Sequence, residues 1–359
     1  MMKKFVFLFS MVIISVVYIC SCSGKTERSR KPVSSIVLAP FSKNYVYGQS
    51  ITININTKLK NGQLKKVDVF LNNKFITSDN KLQFSYTIKS LNELGLNTLR
   101  IVPEKTDGIS NPRSVVFTVL SDIIPEKYNF TVIREFKHSV DHFTQGLQIF
   151  NGFLYEGTGE NGNSNLFKIN LNSNAVIQRT ALPEKYFGEG ITVMENKIYQ
   201  LTYKHQTGFV YNVSNFSLID SFKFDSPEGW GLTNDGKSLI MSDGTGTLTW
   251  LNPDNFSVEK KIQVADRDKV LQYINELEYD NGALWANIWT SDQIIRIDSN
   301  TGKVLGILDL KGILSVLNTN SSQRIDVLNG IAIFPETNHL LVTGKLWPKM
   351  FEIKVNSLK

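Results

Sequence analysis

Short runs of alternating apolar and polar residues fill the chain between residues 33 and 121. The clearest runs span 51–57, 67–71 and 115–119, and an alternation of period two predicts strands with one buried and one solvated face. Turn residues such as those at 60–62 separate the runs at intervals typical of a small sandwich. We therefore predict a β-sandwich over residues 33–121. Since it offers no cluster of catalytic side chains, we interpret it as a spacer or a binding module.

A looser repetition runs through the second part of the chain. Five segments each begin with a polar or aromatic residue and continue through two apolar strands separated by a turn; they start at Gln145, Glu189, Trp230, Glu276 and Asn329. Their spacings of 44, 41, 46 and 53 residues resemble those of four-stranded propeller blades. We predict a five-bladed β-propeller over residues 127–359, which makes the fold class all-β throughout. A large sandwich of ordinary hairpins is the alternative.

The fifth repeat lacks its last strand, because the outer strand of that copy, over residues 350–355, ends almost at residue 359. The apolar run 130–135, from the beginning of the same domain, is the natural strand to complete it. Such a pairing closes the ring and removes an open sheet edge.

The N-terminal residues have the features of an export signal. Lys3 and Lys4 precede an apolar run over 5–19, and small residues follow around Cys22. We predict a lipoprotein signal peptide over residues 1–22, lipidation at Cys22 and a polar tether over 23–32. The protein is then exported and lipid-anchored to a bacterial membrane, facing the periplasm or the cell surface. An ordinary secretory signal is the alternative.

Charge and composition exclude several classes of function. Part of the formal net charge of +6 comes from the signal region and the basic tether, so we predict no nucleic-acid partner. The chain after Cys22 contains no cysteine, which excludes disulfides and thiolate metal sites there. The four histidines show no spacing typical of a zinc site, and we predict no metal ligand.

The repeats bring chemically active side chains to common points. In a propeller the innermost strands line the axis, so we expect the five repeat starts to converge on one mouth of the channel. The ends of the second strands should fall near the same rim; they carry Glu156, Tyr203, Asp243, Asn287, Trp289, Lys345 and Trp347. Together these predict a pocket for a small polar group held against aromatic walls. The alternative for each of these residues is a structural role. The tryptophans would then lie in the core, and Glu189 would accept hydrogen bonds from backbone N–H groups.

Eight strings in this region resemble the plant-type glutaminyl-peptide cyclotransferases. They are Phe143-Thr-Gln-Gly-Leu147, Tyr186-Phe-Gly-Glu-Gly190, Gly229-Trp-Gly-Leu232, Ser242-Asp-Gly-Thr245, Asn275-Glu-Leu-Glu-Tyr279, Trp285-Ala-Asn-Ile-Trp289, Asp326-Val-Leu-Asn-Gly330 and Thr343-Gly-Lys-Leu-Trp-Pro-Lys349. The resemblance covers residues 127–359. The sandwich is similar to the immunoglobulin-like modules that precede many bacterial surface enzymes.

The resemblance implies a five-bladed propeller that converts the N-terminal glutamine of peptides or proteins to pyroglutamate and releases ammonia, without catalytic zinc. It also implies an active site lined by Phe143, Gln145, Glu189, Trp230, Asn275, Trp289 and Lys345. Tyr203 stands where plant relatives carry a tryptophan, so the aromatic wall there differs in shape.

We hypothesise that Glu189 carries the proton in this reaction and that the other residues bind the substrate. We expect no cofactor for catalysis and a monomeric protein, and the sequence leaves a structural divalent cation open. The rival function is a non-enzymatic propeller that binds exported peptides or glycans.

Overall fold

The computed structural model describes residues 28–316 and 324–358. These residues form an all-β structure with one short 3₁₀ helix at Ile313–Val316. The predicted signal peptide, Cys22 and the first part of the tether lie outside the described residues. In the described part, no helix has the length and apolar character needed to cross a membrane.

The first eight strands form a sandwich of two sheets, one in the order β1-β3-β6 and the other in the order β2-β8-β7-β4-β5. The strands are β1 Val33–Ala39, β2 Asn44–Val46, β3 Ile51–Lys58, β4 Leu64–Leu71, β5 Lys74–Asp79, β6 Gln83–Ile88, β7 Gly95–Lys105 and β8 Arg113–Leu120. Alternate residues of β3 and β7 are buried, as the period-two pattern predicts. Their apolar side chains, such as Ile53, Leu99 and Ile101, form the core between the sheets.

Three separate four-stranded antiparallel sheets follow a long strand, β9 Glu126–Lys137. We call each four-stranded unit an array. The strands of arrays 1 to 3 are β10 Thr144–Phe150, β11 Phe153–Thr158, β12 Asn165–Asn170, β13 Ala175–Ala181; β14 Gly188–Met194, β15 Lys197–Thr202, β16 Thr207–Asn212, β17 Leu218–Lys223; and β18 Leu232–Asn234, β19 Leu239–Ser242, β20 Thr247–Leu251, β21 Val258–Gln263.

Arrays 4 and 5 are joined into one eight-stranded sheet through β9. Array 4 has the strand order β22-β23-β24-β25, and array 5 has the order β26-β27-β28-β9. The new strands are β22 Ile274–Asp280, β23 Ala283–Ile288, β24 Gln293–Asp298, β25 Val304–Asp309, β26 Leu328–Ile333, β27 Leu340–Gly344 and β28 Lys349–Ser357. The inner strands β10, β14, β18, β22 and β26 pack in succession, and β26 returns to β10, so the fold is propeller-like.

The predicted closing strand is confirmed. β9 pairs with β28 in antiparallel register, with Phe130 opposite Val355 and Glu135 opposite Phe351. The start of β9 also pairs in parallel with β25, where Glu126 lies opposite Gly306. One strand therefore completes array 5 and connects it to array 4.

The inner strands approach so closely that a side chain has no room at one repeated position. A Cβ built on Gly190 would lie 2.4 Å from the backbone nitrogen of Leu232, and one on Gly231 would lie 2.1 Å from the carbonyl oxygen of Asn275. Array 4 carries Glu276 where the others carry this glycine. Its side chain crosses the channel and accepts hydrogen bonds from the backbone N–H groups of Leu147 (3.2 Å) and Ile331 (2.8 Å).

The sandwich packs against the outer strands of arrays 3 and 4. The side chain of Gln263 at the end of β21 accepts from the N–H of Leu96 (3.0 Å) and donates to its carbonyl (3.2 Å). Ala265 belongs to the apolar core of the sandwich. The Lys303 ammonium lies 3.8 Å from the centroid of the Tyr47 ring, which is a cation–π contact.

Candidate active site

One mouth of the ring opens into a cavity of about 530 Å³. Its lining contains the seven residues that the family resemblance implies, together with Tyr203: Phe143, Gln145, Glu189, Tyr203, Trp230, Asn275, Trp289 and Lys345. It also contains Phe187, Ser226, Pro227, Glu228, Asp243, Gly244, Thr245 and Tyr273. The cavity therefore collects aromatic rings, carboxylates, amides and one amine in a single concave volume.

These side chains come from two positions that recur in the arrays: the start of the inner strand and the residue after the second strand. Gln145, Glu189 and Asn275 lie near the start of an inner strand, and Trp230 lies just before one. Tyr203, Trp289 and Lys345 directly follow the second strands β15, β23 and β27. Their backbone N–H groups donate to carbonyls just before the inner strands, as in the 2.9 Å bond from Trp289 to Tyr273. The same edge of successive sheets thus faces the cavity.

Aromatic side chains form two walls. On one side Phe187 lies 6.1 Å from Phe143 and 5.8 Å from Tyr203, between ring centroids. On the other side Trp289 lies 5.7 Å from Trp230, edge to face, and 6.0 Å from Tyr273. Trp289 is 40% exposed and Tyr273 54% exposed, so this second wall reaches out to the rim. Walls of this kind exclude water from whatever lies between them.

Glu189 and Lys345 are both buried. Burial raises the pKa of the Glu189 carboxyl well above its usual range, against the opposing charge of Lys345, and the charge of Glu228 raises it further. Burial lowers the pKa of the Lys345 amine, although Glu189 and Asp326 oppose this. Both groups are therefore shifted towards their neutral forms, which suits proton transfer near neutral pH. The Lys345 nitrogen also lies 4.7 Å from the centroid of the Phe143 ring.

Two buried amides complete the inner part of the cavity. The side-chain oxygen of Gln145 accepts a hydrogen bond from the Asn329 amide (3.2 Å), which leaves the Gln145 NH₂ group as a donor for a ligand. The side-chain oxygen of Asn275 is buried and has no hydrogen-bond partner among the described residues. A buried acceptor without a hydrogen-bond partner raises the free energy of the folded protein. We therefore expect an N–H group of a ligand to donate to the Asn275 oxygen.

Glu228 was not among the predicted site residues. Its carboxylate accepts a hydrogen bond from the indole N–H of Trp230 (3.0 Å) and adds to the negative potential at Glu189. Sequence alone offered a signal for it. Phe143, Phe187 and Glu228 each lie two residues before a predicted repeat start, and a period of two places such residues on the same side of an extended chain.

Two of the five predicted ring residues do not line the cavity. Glu276 lies inside the channel, at the position where the other arrays carry glycine. The predicted alignment of the fourth repeat was therefore wrong by one residue. Asn275, which lines the cavity, is the counterpart of Gln145. Asn329 lies behind Gln145 and donates to it and to the Thr144 carbonyl (2.9 Å).

Three residues predicted at the ends of the second strands are also elsewhere. The side-chain oxygen of Asn287 accepts a hydrogen bond from the Gly330 N–H (3.0 Å). Trp347 is part of the core between arrays 4 and 5. Glu156 lies inside β11, two residues before that strand ends, and contacts His138 and His142. Asp243 does lie in the cavity lining, as predicted.

The comparisons with known proteins agree with this geometry. The family model described as glutamine cyclotransferase matches residues 112–355. The glutaminyl-peptide cyclotransferase of Arabidopsis thaliana is 41% identical over 225 residues, which make up 62% of this chain and 70% of that protein. The chain belongs to the glutamine cyclotransferase family.

A solved relative in the glutamine cyclotransferase family extends the comparison to structure. The glutaminyl cyclase of Myxococcus xanthus matches 66% of this chain and 100% of its own, with 33% identity and a TM-score of 0.60. The family match begins at residue 112, so it takes in β8 of the sandwich as well as the arrays.

The protein also contains a cluster of metal-ligating side chains outside the cavity. Among the described residues, His138, His142 and Glu156 bring one ligand atom each to within 4.8 Å of one another. Glu156 is fully buried, and although burial opposes it, the two histidines hold the pKa of its carboxyl well below the usual range. The sequence expectation of no metal ligand did not anticipate this cluster, because the histidines meet Glu156 only in the folded chain.

Proposed function

We propose that this chain converts the N-terminal glutamine of peptides or proteins to pyroglutamate and releases ammonia. The observation that carries the proposal is a buried carboxylate, Glu189, which shares a cavity with the buried amine of Lys345 between two aromatic walls. Membership of the glutamine cyclotransferase family supports the same reaction.

The cavity suits the N-terminal residue of a peptide. The Asn275 oxygen accepts an N–H of the glutamine, and the Gln145 NH₂ donates to the carbonyl oxygen of its side-chain amide. The aromatic walls fold the glutamine so that its α-amine approaches its own γ-carbon, and the peptide chain leaves past Trp289 and Tyr273 at the exposed rim. Freezing this cyclic conformer supplies much of the rate enhancement, because nucleophile and electrophile belong to one molecule.

The chemical step replaces one carbon–nitrogen bond with another. The neutral α-amine attacks the γ-carboxamide carbon, and the ionised Glu189 accepts the proton that the amine loses. The same carboxyl then delivers that proton to the departing nitrogen, and ammonia leaves as the five-membered lactam closes. Lys345 and Gln145 stabilise the negative charge that develops on the carboxamide oxygen.

We also propose a five-bladed propeller and an immunoglobulin-like sandwich for the two parts of the fold. The ring of five inner strands supports a five-bladed β-propeller, and the two-sheet packing of β1 to β8 supports an immunoglobulin-like sandwich. The reaction is an aminoacyl transfer within the substrate. It is independent of zinc, since the ligands of the His138 cluster do not line the cavity.

We further propose that the protein is exported and acts as a lipid-anchored monomer at a bacterial membrane. The apolar run after Lys3 and Lys4 and the small residues around Cys22 support this placement. The sandwich then separates the catalytic ring from the anchor.

A peptide that begins with glutamine should release one ammonia per molecule when it is incubated with the protein. The product should be lighter by the mass of ammonia, which mass spectrometry measures directly. Two control peptides should not react: one that begins with asparagine, whose shorter side chain would require a four-membered ring, and one with an acetylated α-amine. Binding of the glutamine peptide without ammonia release would favour the rival function, a propeller that only binds exported peptides.

The Glu228→Gln variant should move the acidic limb of the kcat–pH profile to lower pH. Glu228 is negative and raises the pKa of Glu189, so its neutralisation lowers that pKa and leaves Glu189 ionised at lower pH. We expect a shift on the order of one pH unit, because both carboxyl groups line the same cavity. The glutamine amide still has an oxygen that can accept the Trp230 N–H. An unchanged profile would contradict the role of Glu189 as proton acceptor or its coupling to Glu228.

A further inference from the structure

His138, His142 and Glu156 form a cluster at the seam where array 5 meets array 1. His138 directly follows β9, and its Nδ1 lies 2.7 Å from the carbonyl oxygen of Trp347, which follows β27. Glu156 belongs to β11 of array 1. The loop that carries His142 is joined to the same place, since the Leu346 N–H donates to the His142 carbonyl (2.8 Å).

The hydrogen bond to Trp347 fixes how His138 can use its other nitrogen. A carbonyl oxygen only accepts, so Nδ1 carries a proton and Nε2 of the neutral ring has a free lone pair. This Nε2 lies 3.0 Å from Glu156 Oε1, and Nδ1 of His142 lies 2.8 Å from Glu156 Oε2. A lone pair cannot lie this close to a carboxylate oxygen without a positive group between them. A histidine that donates one N–H to a backbone carbonyl and directs the other nitrogen at a shared centre has the arrangement usual for a metal ligand.

We propose that His138, His142 and Glu156 bind a divalent transition metal ion of the zinc type. Two imidazole nitrogens and one carboxylate oxygen form a donor set that favours zinc over magnesium or calcium, which prefer oxygen. Neighbouring ligand atoms around a tetrahedral zinc lie about 3.3 Å apart. The two nitrogen–oxygen contacts are a few tenths of an ångström shorter than this, and the three ligand atoms lie within 4.8 Å of one another, so small side-chain movements bring them to that spacing.

The surroundings complete the site. The Thr144 hydroxyl donates to Glu156 Oε1 (2.7 Å) and the His142 ring stacks on Phe167 at 4.3 Å, so both ligands are held in place. A polar cleft of about 810 Å³ also borders His142. It gives the ion a route from solvent and supplies a water molecule as fourth ligand.

The ion has a structural role. None of its ligands lines the catalytic cavity, but Thr144 lies between the cavity residues Phe143 and Gln145, and Trp347 lies two residues after Lys345. An ion at this point ties together the two arrays that close the ring and fixes the segments that carry these cavity residues.

Zinc binding can be measured on tag-free protein after treatment with EDTA and dialysis. Titration calorimetry with Zn²⁺ should give one site per chain, with weaker binding at pH 6 than at pH 8 because the ligand nitrogens must be free of protons. At a zinc concentration of 100 times Kd the melting temperature should rise by about 5 °C or more. Ca²⁺ and Mg²⁺ should not bind. If neither the untreated nor the stripped protein binds Zn²⁺, the proposal is overturned. Protons would then occupy the two contacts between the histidines and Glu156.

Two variants test the location of the site. His142→Phe keeps a ring against Phe167 but removes a ligand, and it should weaken zinc binding by about 100-fold or more. His339→Phe is the matched control, because His339 forms a single pair with Glu352 (2.8 Å) and has no second histidine; it should bind zinc as the unchanged protein does. Equal binding by the His142 variant would place the ion elsewhere. Cyclisation of a glutamine peptide at a temperature well below melting should persist in the stripped protein, and its loss would overturn the structural role.

Discussion

The Glu189→Gln variant should lose kcat by about 10²–10⁴-fold, the usual contribution of a positioned general acid–base group. The amide has nearly the shape of the carboxyl but can neither accept the proton of the attacking amine nor deliver one to the departing nitrogen. Since burial raises the pKa of Glu189 and so disfavours its charged form, a neutral amide at this position should be tolerated by the fold. Steady-state assays of ammonia release measure the effect.

The matched control for this variant is Glu184→Gln, the same chemical change at an exposed glutamate outside the cavity. It should have the kcat and KM of the unchanged protein. The Glu189 variant should still bind glutamine peptides, because Gln145, Asn275 and the aromatic walls are unchanged. Turnover near the normal rate would exclude Glu189 as the proton carrier.

The Glu276→Ala variant should lower the free energy of unfolding by about 2–4 kcal/mol at pH 5, because it leaves two buried backbone N–H groups, those of Leu147 and Ile331, without an acceptor. The melting temperature should fall by roughly 5–15 °C for a domain of this size. Thermal and urea unfolding measure the loss.

The loss should shrink as the pH rises. Burial, reinforced by the charge of Glu278, raises the pKa of Glu276 well above its usual range, while the backbone N–H bonds of Leu147 and Ile331 oppose the shift. The folded protein thus favours the protonated carboxyl, and its stabilising contribution decreases as the pH rises through the folded pKa. An exposed control, Glu184→Ala, should change stability little at any pH. A Glu276 variant as stable as the unchanged protein would show that its hydrogen bonds across the channel are dispensable.

Much of the cavity could be predicted because a closed ring places equivalent positions side by side. Glu189 at the start of an inner strand and Lys345 after a second strand are 156 residues apart, yet both belong to the edge that every array presents to the same mouth. The predicted pairing of β9 with β28 followed from the same reasoning, because a ring with one three-stranded array would leave an open edge.

The prediction failed where one repeat departs from the rule that defines the others. Glycine marks the crowded position in four arrays, and Glu276 replaces it in the fourth, so superposition on the glycine pattern moved that array by one residue. Glu156 was misplaced for a related reason. Its strand continues to Thr158, and the residue that corresponds to Tyr203 is Gly159, which has no side chain to reveal the equivalence.

The double pairing of β9 has a consequence for biosynthesis. β9 is synthesised long before its partner β28; Arg134 and Glu352, which meet across this pair, are 218 positions apart. Until β28 has been synthesised, β9 has a free edge, and a free edge can pair with the wrong strand or with a neighbouring chain. Closure of the ring therefore waits for β28, and any nascent chain interrupted before β28 remains open.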